Sequence, residues 1–135
     1  MVNQRFTFAV HILAMLACSG GVVGSRTLAR SVNTHPVVIR RLLLALRRAR
    51  LIETCSGKHG GARLAQTPNQ ISLLEIYDAI EPRPAIAVSS RKILRKCPVS
   101  CGIKGVMSEV SAGADRALRD HLRSLSLAQL VRKIR

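Results

Sequence analysis

Apolar residues recur through the first eighty positions at the three- and four-residue spacing that is typical of amphipathic helices. In the opening segment, one helical face carries Phe8, Ile12, Met15 and Leu16. This spacing predicts a helix over residues 3 to 18. The glycines of SGG end this helix, because glycine readily adopts the left-handed conformation after a helix. Ser25 then caps a shorter helix with the sequence RTLARSVN, which NTHP ends.

The next segment, HPVVIRRLLLALRRARLIE, predicts a helix with two chemically different faces. Pro36 suits its first turn, with Thr34 or His35 as the cap. At 100° per residue, the residues within about 60° of Ile39 form an apolar stripe: Leu42, Leu43 and Leu46, with Arg50 at the fraying end. The residues between about 80° and 200° form a basic face: Val37, Arg40, Arg41, Leu44, Arg47 and Arg48. Leu44 is the apolar exception in this face and is expected to meet another element.

The remaining sequence predicts a hairpin, a helix, a linker and two further helices. Residues 51–56 form a strand, GKHGG is a turn that needs positive φ, and ARLA is the returning strand. ISLLEIYDAIEP is a helix that Ser72 caps and Pro82 closes. A long helix from Pro98 to about residue 124 carries an apolar seam near the 3.5-residue period: Val106, Val110, Ala114, Ala117, Leu118, Leu122 and Leu125. Such a seam on a lone helix indicates dimerisation, and SLAQLVRKI forms the last helix.

A pair of helices followed by a hairpin is the layout of a winged helix–turn–helix. We therefore predict a mainly α fold with a small β-hairpin wing and a long C-terminal dimerisation helix. The predicted division has three parts. A winged helix–turn–helix DNA-binding domain covers 1–82, a linker or sensor loop covers 83–97, and the dimerisation and C-terminal helices cover 98–135.

The charge pattern adds a partner to this fold. The 135 residues include 22 Lys and Arg against 7 Asp and Glu, a formal net charge of +15. Residues 1–66 contain Glu53 as their single acid, so this half is expected to meet a polyanion. Single-stranded nucleic acid is disfavoured, because the aromatic residues on which its bases would stack make up only 2% of the chain. Double-stranded DNA is the predicted partner.

Other classes of protein fit less well. An apolar content of 47% argues against a disordered basic tail. The sequence has no phosphate-binding glycine loop, nucleophile elbow or paired histidine–carboxylate motif, so no enzyme is expected. No stretch is long enough to span a bilayer. A cytoplasmic location is expected, because it fits four cysteines without a disulfide framework. Two alternatives stay open: a basic architectural or RNA-associated protein without sequence preference, and an exported lipoprotein whose LAC motif ends at Cys18.

Three stretches carry a family resemblance: SVNTHPVVIRRLL, KHGGARLA and ISLLEIYDAIE. In this order they resemble the Rrf2 family of bacterial winged-helix transcription regulators, which includes IscR, NsrR and CymR, and above all its YwnA-like branch. The similarity runs from about Asn3 to Glu81, while the C-terminal part matches in layout more than in residues. The resemblance implies a homodimer joined through the long helix, a DNA site with two-fold symmetry and, for function, a transcription regulator that acts as a repressor.

The candidate DNA-binding residues begin on the predicted recognition helix. Val37, Arg40 and Arg41 lead this helix into the major groove, where arginine can bind guanine through two hydrogen bonds and valine can meet a thymine methyl group. Arg26, on the preceding helix, is a candidate for contact with phosphate. Arg47 and Arg48 lie farther along and are expected to face phosphate or water.

The turn and the wing supply the other candidates. The turn residues either bind phosphate or cap the helix, and both interpretations stay open: Asn33, Thr34 and His35. The residues assigned to the hairpin tip are expected to lie along the DNA backbone or minor groove, because basic residues there offset phosphate charge: Lys58, His59, Gly60 and Arg63.

Two of the four cysteines stand in KCPVSCGIK, just before the long helix. Cys97 directly precedes Pro98, where Lys96 and the helix N-terminus favour a reactive thiolate, so Cys97 and Cys101 are candidate redox sensors. No metal site is expected, because zinc takes four ligands and this pair supplies two. In the Rrf2 family, members that bind an iron–sulfur cluster use three cysteines at wider spacing in this loop plus a further ligand. This chain lacks that pattern, so no cofactor is expected, with a cluster or a silent pair as the alternatives.

The other two cysteines, Cys18 and Cys55, have no partner at a characteristic spacing. Unpaired cysteines behave as small apolar residues in protein cores. Both are therefore expected to be buried.

Overall fold

The computed structural model of the protein describes residues 4–81 and 83–135. The described helices and strands are, in chain order, α1 Arg5–Ser19, α2 Ser25–Val32, α3 Pro36–Arg48, β1 Ile52–Cys55, β2 Gly61–Leu64, α4 Leu73–Ile80, α5 Pro98–Arg123 and α6 Leu127–Ile134. This confirms the predicted fold class, which is mainly helical with a hairpin and a long C-terminal helix. Asn3, the predicted start of the first helix, and Pro82, predicted to close the fourth, lie outside the described residues.

The chain forms two compact units. The first contains the described part of Met1–Pro82 together with Leu122–Arg135, and the second is Arg83–His121. The predicted division grouped residues 98–135, whereas the end of α5 and all of α6 belong with the N-terminal part of the chain in the structure.

In the first unit α1 is the central helix. It contacts α2, α3, α4, α6 and β2. Of the predicted stripe, Ile12 and Leu16 are buried, whereas Phe8 and Met15 are only half-buried. The other buried residues of α1 are Ala9, Leu13 and Ala14. Phe6 packs edge-to-face on Tyr77 of α4, with 5.5 Å between the ring centroids.

The predicted core stripe of α3 is confirmed. α3 buries the four predicted apolar residues, Ile39, Leu42, Leu43 and Leu46. α4 buries Leu73, Leu74, Ile76, Tyr77 and Ile80, and Ser72 caps it in a capping box with Glu75. Because one face of each helix is fixed in the core, the opposite face of α3 is held towards solvent.

α3 begins with a side-chain cap and a proline. His35 Nδ1 accepts a hydrogen bond from the Val37 N–H at 3.1 Å, and Pro36 occupies the first helical position. The cap satisfies one of the N–H groups that have no partner within a helix, and proline needs no partner there. Of the two predicted candidates for the cap, Thr34 and His35, the structure has His35.

Replacing His35 by alanine is expected to lower the free energy of unfolding by about 1 kcal/mol, since the Val37 N–H loses its acceptor. His35→Asn keeps a capping oxygen and should recover most of this loss. Urea unfolding at one fixed protein concentration measures both. An alanine variant as stable as the parent would show that the cap contributes nothing.

The hairpin is joined to the loop before α2. β1 and β2 pair antiparallel, with Glu53 opposite Arg63 and Cys55 opposite Gly61. Ala62 exchanges two backbone hydrogen bonds with Val23, each of 2.9 Å. This bridge adds one residue of a third strand to the hairpin. The wing is thus fixed to the loop before α2 close to its turn, while the turn itself stays at the surface.

The C-terminal helix joins the first unit through backbone bonds. The Leu73 N–H donates to the Leu125 carbonyl at 2.9 Å, and the Leu127 N–H donates to the Ile71 carbonyl at 2.8 Å. Leu127 and Val131 are buried. Ser126 caps α6 in a second capping box, with Gln129 as its partner.

In the second unit the linker runs back along α5. The Ser111 hydroxyl, on the middle of α5, donates to the Ile86 carbonyl at 2.7 Å. Near the start of α5, the Ser100 Oγ accepts a hydrogen bond from the Leu94 N–H at 2.6 Å. The linker is therefore antiparallel to α5 and bound to it at both ends.

Two local predictions are wrong. α2 starts at Ser25 itself with Gly24 as its cap, and no side chain caps it. Cys18 is exposed and Cys55 half-buried, not buried as predicted, because Cys18 lies in the last turn of α1 and Cys55 ends β1 at the edge of the wing.

Among residues 4–81 and 83–135, no helix is both long enough and apolar enough to cross a bilayer.

Candidate nucleic-acid interface

The outer face of α3 carries most of the candidate arginines. Arg40, Arg41, Arg47 and Arg48 are all exposed, on the face opposite the buried stripe. Val37, in the first turn of the helix, is half-buried. Packing in the core therefore separates the apolar face of α3 from its basic face at the angles that the sequence predicted.

The wing presents its basic tip to solvent. The turn runs from Ser56 to Gly60, with Lys58 and His59 exposed at its end. Gly57 has φ +102°, which only glycine adopts readily, and this confirms the expected positive φ in the turn. A Cβ at Gly60 would lie 2.3 Å from the Cys55 carbonyl oxygen, so the turn itself requires glycine there.

Arg63 is not at the wing tip, and this corrects the prediction. It lies within β2, directly opposite Glu53, and forms an ion pair with it at 2.9 Å. The Glu53 hydrogen bond and its charge raise the pKa of Arg63 above its usual value. The register of the hairpin thus pairs Arg63 with the one acid of residues 1–66.

The three turn residues have backbone roles that the sequence left open. Asn33 adopts the left-handed conformation, φ 62°, as the C-cap of α2. The Thr34 N–H donates to the Ala29 carbonyl at 3.1 Å. His35 caps α3 through Nδ1, so its neutral ring carries the proton on Nε2. That N–H remains a donor, and capping by His35 is therefore compatible with a contact to phosphate.

α2, α3 and the wing surround one open cleft of about 440 Å³. Its walls include Ser25 at the start of α2, Arg40, Leu44 and Arg47 of α3, and Gly57 of the turn. The structure thereby places the outer face of α3 beside the wing, although the two are separated in sequence by the strand β1. Arg26 is exposed in the first turn of α2 but does not line this cleft.

The cations of this surface are uncompensated. Within the described residues, none of the following forms an ion pair: Arg26, Arg40, Arg41, Arg47, Arg48 and Lys58. Since Glu53 is already bonded to Arg63, no free carboxylate of residues 4–66 offsets their charge. Such a surface attracts phosphate groups, and its exposed arginines are suited to contacts with base edges.

The whole chain matches a known family. The Rrf2 family model, described as an iron-dependent transcriptional regulator, matches residues 2–133. The chain belongs to the Rrf2 family. This confirms the resemblance seen in the sequence.

Individual relatives are similar to this chain along nearly their full length. YwnA of Bacillus subtilis strain 168, provisionally named an HTH-type transcriptional regulator, is 34% identical over 131 residues, 97% of each chain. A crystal structure provisionally named as a DNA-binding protein is 33% identical, with a TM-score of 0.73 and coverage of 93% of this chain and 97% of that one. A crystal structure of a regulator from Lactobacillus plantarum is 25% identical, with a TM-score of 0.84 and coverage of 98% and 91%.

Membership of the family tests two predictions: that the protein is a DNA-binding transcription regulator, and that it is not an enzyme. The protein is a DNA-binding transcription regulator, and its family is not enzymatic. Both predictions are confirmed.

Leu44 was predicted as the apolar exception in the basic face of α3, and no contact with DNA was assigned to it. Leu44 is 46% exposed on the outer face of α3 and lines the cleft beside the wing, so it does not meet another element as expected. An apolar side chain among arginines on a recognition helix is suited to a thymine methyl group. The available signal was its angular position, about 140° from Ile39, in the middle of the basic face.

The cysteine pair has a defined geometry in the second unit. Cys97 is the residue before α5, and its Sγ accepts a hydrogen bond from the Ser100 N–H at 3.5 Å. Cys101 lies in the first turn of α5, and its thiol donates to the Arg95 carbonyl at 3.5 Å. The two sulfurs therefore have opposite roles, one as an acceptor and one as a donor.

The residues near this pair do not fit an iron site. Iron–sulfur clusters are held by four ligands, mostly cysteine thiolates. In the part of the chain that the structure describes, no three His, Cys, Asp or Glu side chains come together. The Cys101 thiol is in addition bonded to a backbone carbonyl. The iron dependence that the family description implies has no donor set among these residues of one chain.

Proposed function

We propose that this Rrf2 regulator is a cytoplasmic repressor that binds, as a homodimer, a DNA site with two-fold symmetry. The uncompensated arginine face of α3 carries this proposal. Arg40, Arg41 and Val37 would read bases in the major groove, with Leu44 against a thymine methyl group. Arg26, Lys58 and the Nε2–H of His35 would contact phosphates.

The wing residues have separate parts in this proposal. His59, at the exposed tip, would accompany Lys58 along the DNA backbone. Gly60 keeps the turn in shape, and Arg63 stabilises the hairpin through Glu53. The N–H groups of Asn33 and Thr34 donate to the Ala29 carbonyl and set the geometry of the turn before α3, so only their side chains would contact phosphate.

Selection of bound sequences from a random DNA library tests the proposal directly. A sequence-specific dimer should enrich an inverted repeat whose half-sites lie about one helical turn apart, or a multiple of it. A basic architectural protein, the second candidate, would enrich nothing, because phosphate contacts alone carry no sequence information. The net charge of +15 favours this second candidate, because it would attract any DNA through its phosphates.

Two alanine substitutions separate base reading from phosphate binding. Arg41→Ala is expected to cost about 1–3 kcal/mol on the selected site and to relax its base preference. Lys58→Ala should weaken binding to all sequences alike and reduce the salt slope by about one. Competition binding at several salt concentrations measures both. If the two variants lose affinity equally on selected and bulk DNA, base reading by α3 is refuted.

The dimer would form through an exposed apolar seam of α5 that keeps Val106 and Val110 of the predicted seam and adds Val99 and Ile103, whereas Leu122 of the predicted seam is buried within the chain. Val99, Ile103, Val106 and Val110 are between 48% and 69% exposed in the single chain. They lie within about 60° of one another around the helix. A strip of this kind on a long helix is suited to packing against a second copy.

Cys97 would make the affinity for DNA dependent on thiol state. Its sulfur accepts a hydrogen bond from the Ser100 N–H at the N-terminus of α5. With hydrogen peroxide as oxidant, the Cys97 thiolate attacks one oxygen and the O–O bond breaks. The sulfur becomes a sulfenic acid, and the hydroxide that leaves takes up a proton to give water. Attack by Cys101 would then release a second water and form a disulfide. Since Cys97 directly precedes α5 and Cys101 lies in its first turn, that bond requires the first turn to deform.

Cys97→Ser should abolish any effect of peroxide on DNA affinity, because the reactive sulfur is gone. Cys18→Ser is the matched control, since Cys18 is an exposed thiol in the first unit. Binding curves with reduced and peroxide-treated protein give the comparison. The proposal is wrong if Cys97→Ser responds to peroxide as the parent does, or if Cys18→Ser removes the response.

A further inference from the structure

Within the second unit, the linker and α5 enclose a cleft of about 170 Å³. Val88 and Ile93 of the linker and Ile103 and Met107 of α5 supply apolar walls. An apolar cavity of about 150 Å³ is enough to hold benzene. By volume, the cleft accepts one small ring or a short branched chain, whereas a nucleotide is too large.

The polar residues of this cleft are all suited to an anion. Arg91, Lys92 and Lys104 line it, and none of them forms an ion pair with a described residue. Residues 83–108 contain six Lys and Arg and no Asp or Glu. No carboxylate of this segment can therefore neutralise the cleft from within.

Two serine hydroxyls add hydrogen-bond donors. Ser100 Oγ accepts from the Leu94 N–H at 2.6 Å, and Ser89 Oγ accepts from the Arg91 N–H at 3.2 Å. Each oxygen is thus held in place by a backbone donor, and neither hydroxyl proton has an acceptor among the residues that the structure describes. Both hydroxyls line the cleft, where the oxygen atoms of an anion would accept these protons.

We propose that this cleft binds a small organic carboxylate whose apolar body is about the size of one ring. The carboxylate would be bound by Arg91, Lys104 and the Ser100 hydroxyl, and the apolar body would pack on Ile93 and Met107. Arginine suits this role because it can form two parallel hydrogen bonds with a carboxylate. Bound carboxylate links the linker to α5 and so forms an effector site that works without chemistry at Cys97.

The binding test uses the full-length protein and 4-fluorobenzoate, observed by ¹⁹F NMR. The probe should bind with a measurable affinity, and its neutral analogue 4-fluorobenzamide should bind at least about tenfold more weakly. The double variant Arg91→Gln with Lys104→Gln should lose at least about tenfold in affinity for the carboxylate. Because these side chains are exposed, the variant is expected to fold.

The matched control is Arg95→Gln with Lys96→Gln. It removes the same charge from the same segment, but neither residue lines the cleft. It should bind 4-fluorobenzoate within about twofold of the parent, because surface charges away from a site add little. Equal losses in both double variants would mean a general charge effect, and equal binding of the amide would mean that the cations do not recognise the carboxylate. Either result, or no binding at all, overturns the proposal.

The effect on DNA is a second measurement, and it alone rests on the proposed function. Saturating 4-fluorobenzoate should change the affinity for the selected site in the parent and in the control, but not in the cleft variant. If Arg91→Gln with Lys104→Gln weakens DNA binding while no carboxylate binds, these cations serve DNA phosphates and the cleft is not an effector site.

Discussion

Val106→Asp combined with Val110→Asp is expected to convert a DNA-binding dimer into a monomer with at least about a hundredfold weaker affinity for the two-fold site. Val106 is 56% and Val110 48% exposed in the single chain, and both lie in the proposed dimer seam of α5. Each aspartate would place an unpaired charge in that contact, which costs several kcal/mol. In a dimer, binding of one copy holds the second copy at a high effective concentration near its half-site. Once the two copies separate, this gain in affinity is lost.

Light scattering or sedimentation at micromolar concentration measures the association, and titration of the selected DNA measures the affinity. Ser108→Asp with Ala112→Asp is the matched control, because it adds the same two charges to exposed positions on the opposite side of α5. The control should remain a dimer and keep its affinity within the small loss that extra negative charge causes. A Val106 and Val110 variant that stays dimeric would place the interface elsewhere.

Gly61→Ala is expected to destabilise the first unit by about 3 kcal/mol, as overpacking and distortion of the hairpin combine. A Cβ at Gly61 would lie 2.2 Å from the Val23 carbonyl oxygen and 2.6 Å from its carbon. Both atoms are backbone, so no side chain can rotate away to make room. The wing would have to move from the loop before α2, which breaks the pair of hydrogen bonds between Val23 and Ala62.

Urea unfolding measures this loss, and DNA titration should show weaker binding because the wing is displaced. Gly105→Ala is the control of opposite sign: Gly105 lies inside α5, and nothing within 4 Å would meet its Cβ. That substitution should raise stability by up to about 1 kcal/mol, since alanine has the higher helix propensity. A Gly61→Ala protein as stable as the parent would show that the close approach at Val23 is not a constraint.

Local patterns predicted the elements well, because they depend on spacing and on nearby hydrogen-bond partners. Ile39 and Leu46 are buried as their helical spacing indicated, and the caps at His35 and Ser72 are those that the residue types suggested. The cap before α2 was misplaced by one residue, since Gly24 and Ser25 can both precede a helix and only the fold selects between them.

The candidate interface was predicted less completely than the elements. The exposed arginines of α3 and the basic wing tip were found from periodicity and from turn composition. Arg63 was assigned to the tip although it belongs to the returning strand ARLA, because the alternation of residues does not show which residue of β1 it faces. Once the register pairs Arg63 with Glu53, its charge is neutralised and its role becomes structural.

By itself, the sequence determined the order of helices and strands, the two faces of α3 and the family, because each is written in local spacing and in motif order. Only the tertiary structure decided that Ala62 pairs with Val23, that Leu127 bonds to Ile71, and that the linker forms an anion-suited cleft with α5. These contacts join residues far apart in the chain, and the packing that brings them together depends on the whole core. No local pattern contains that information.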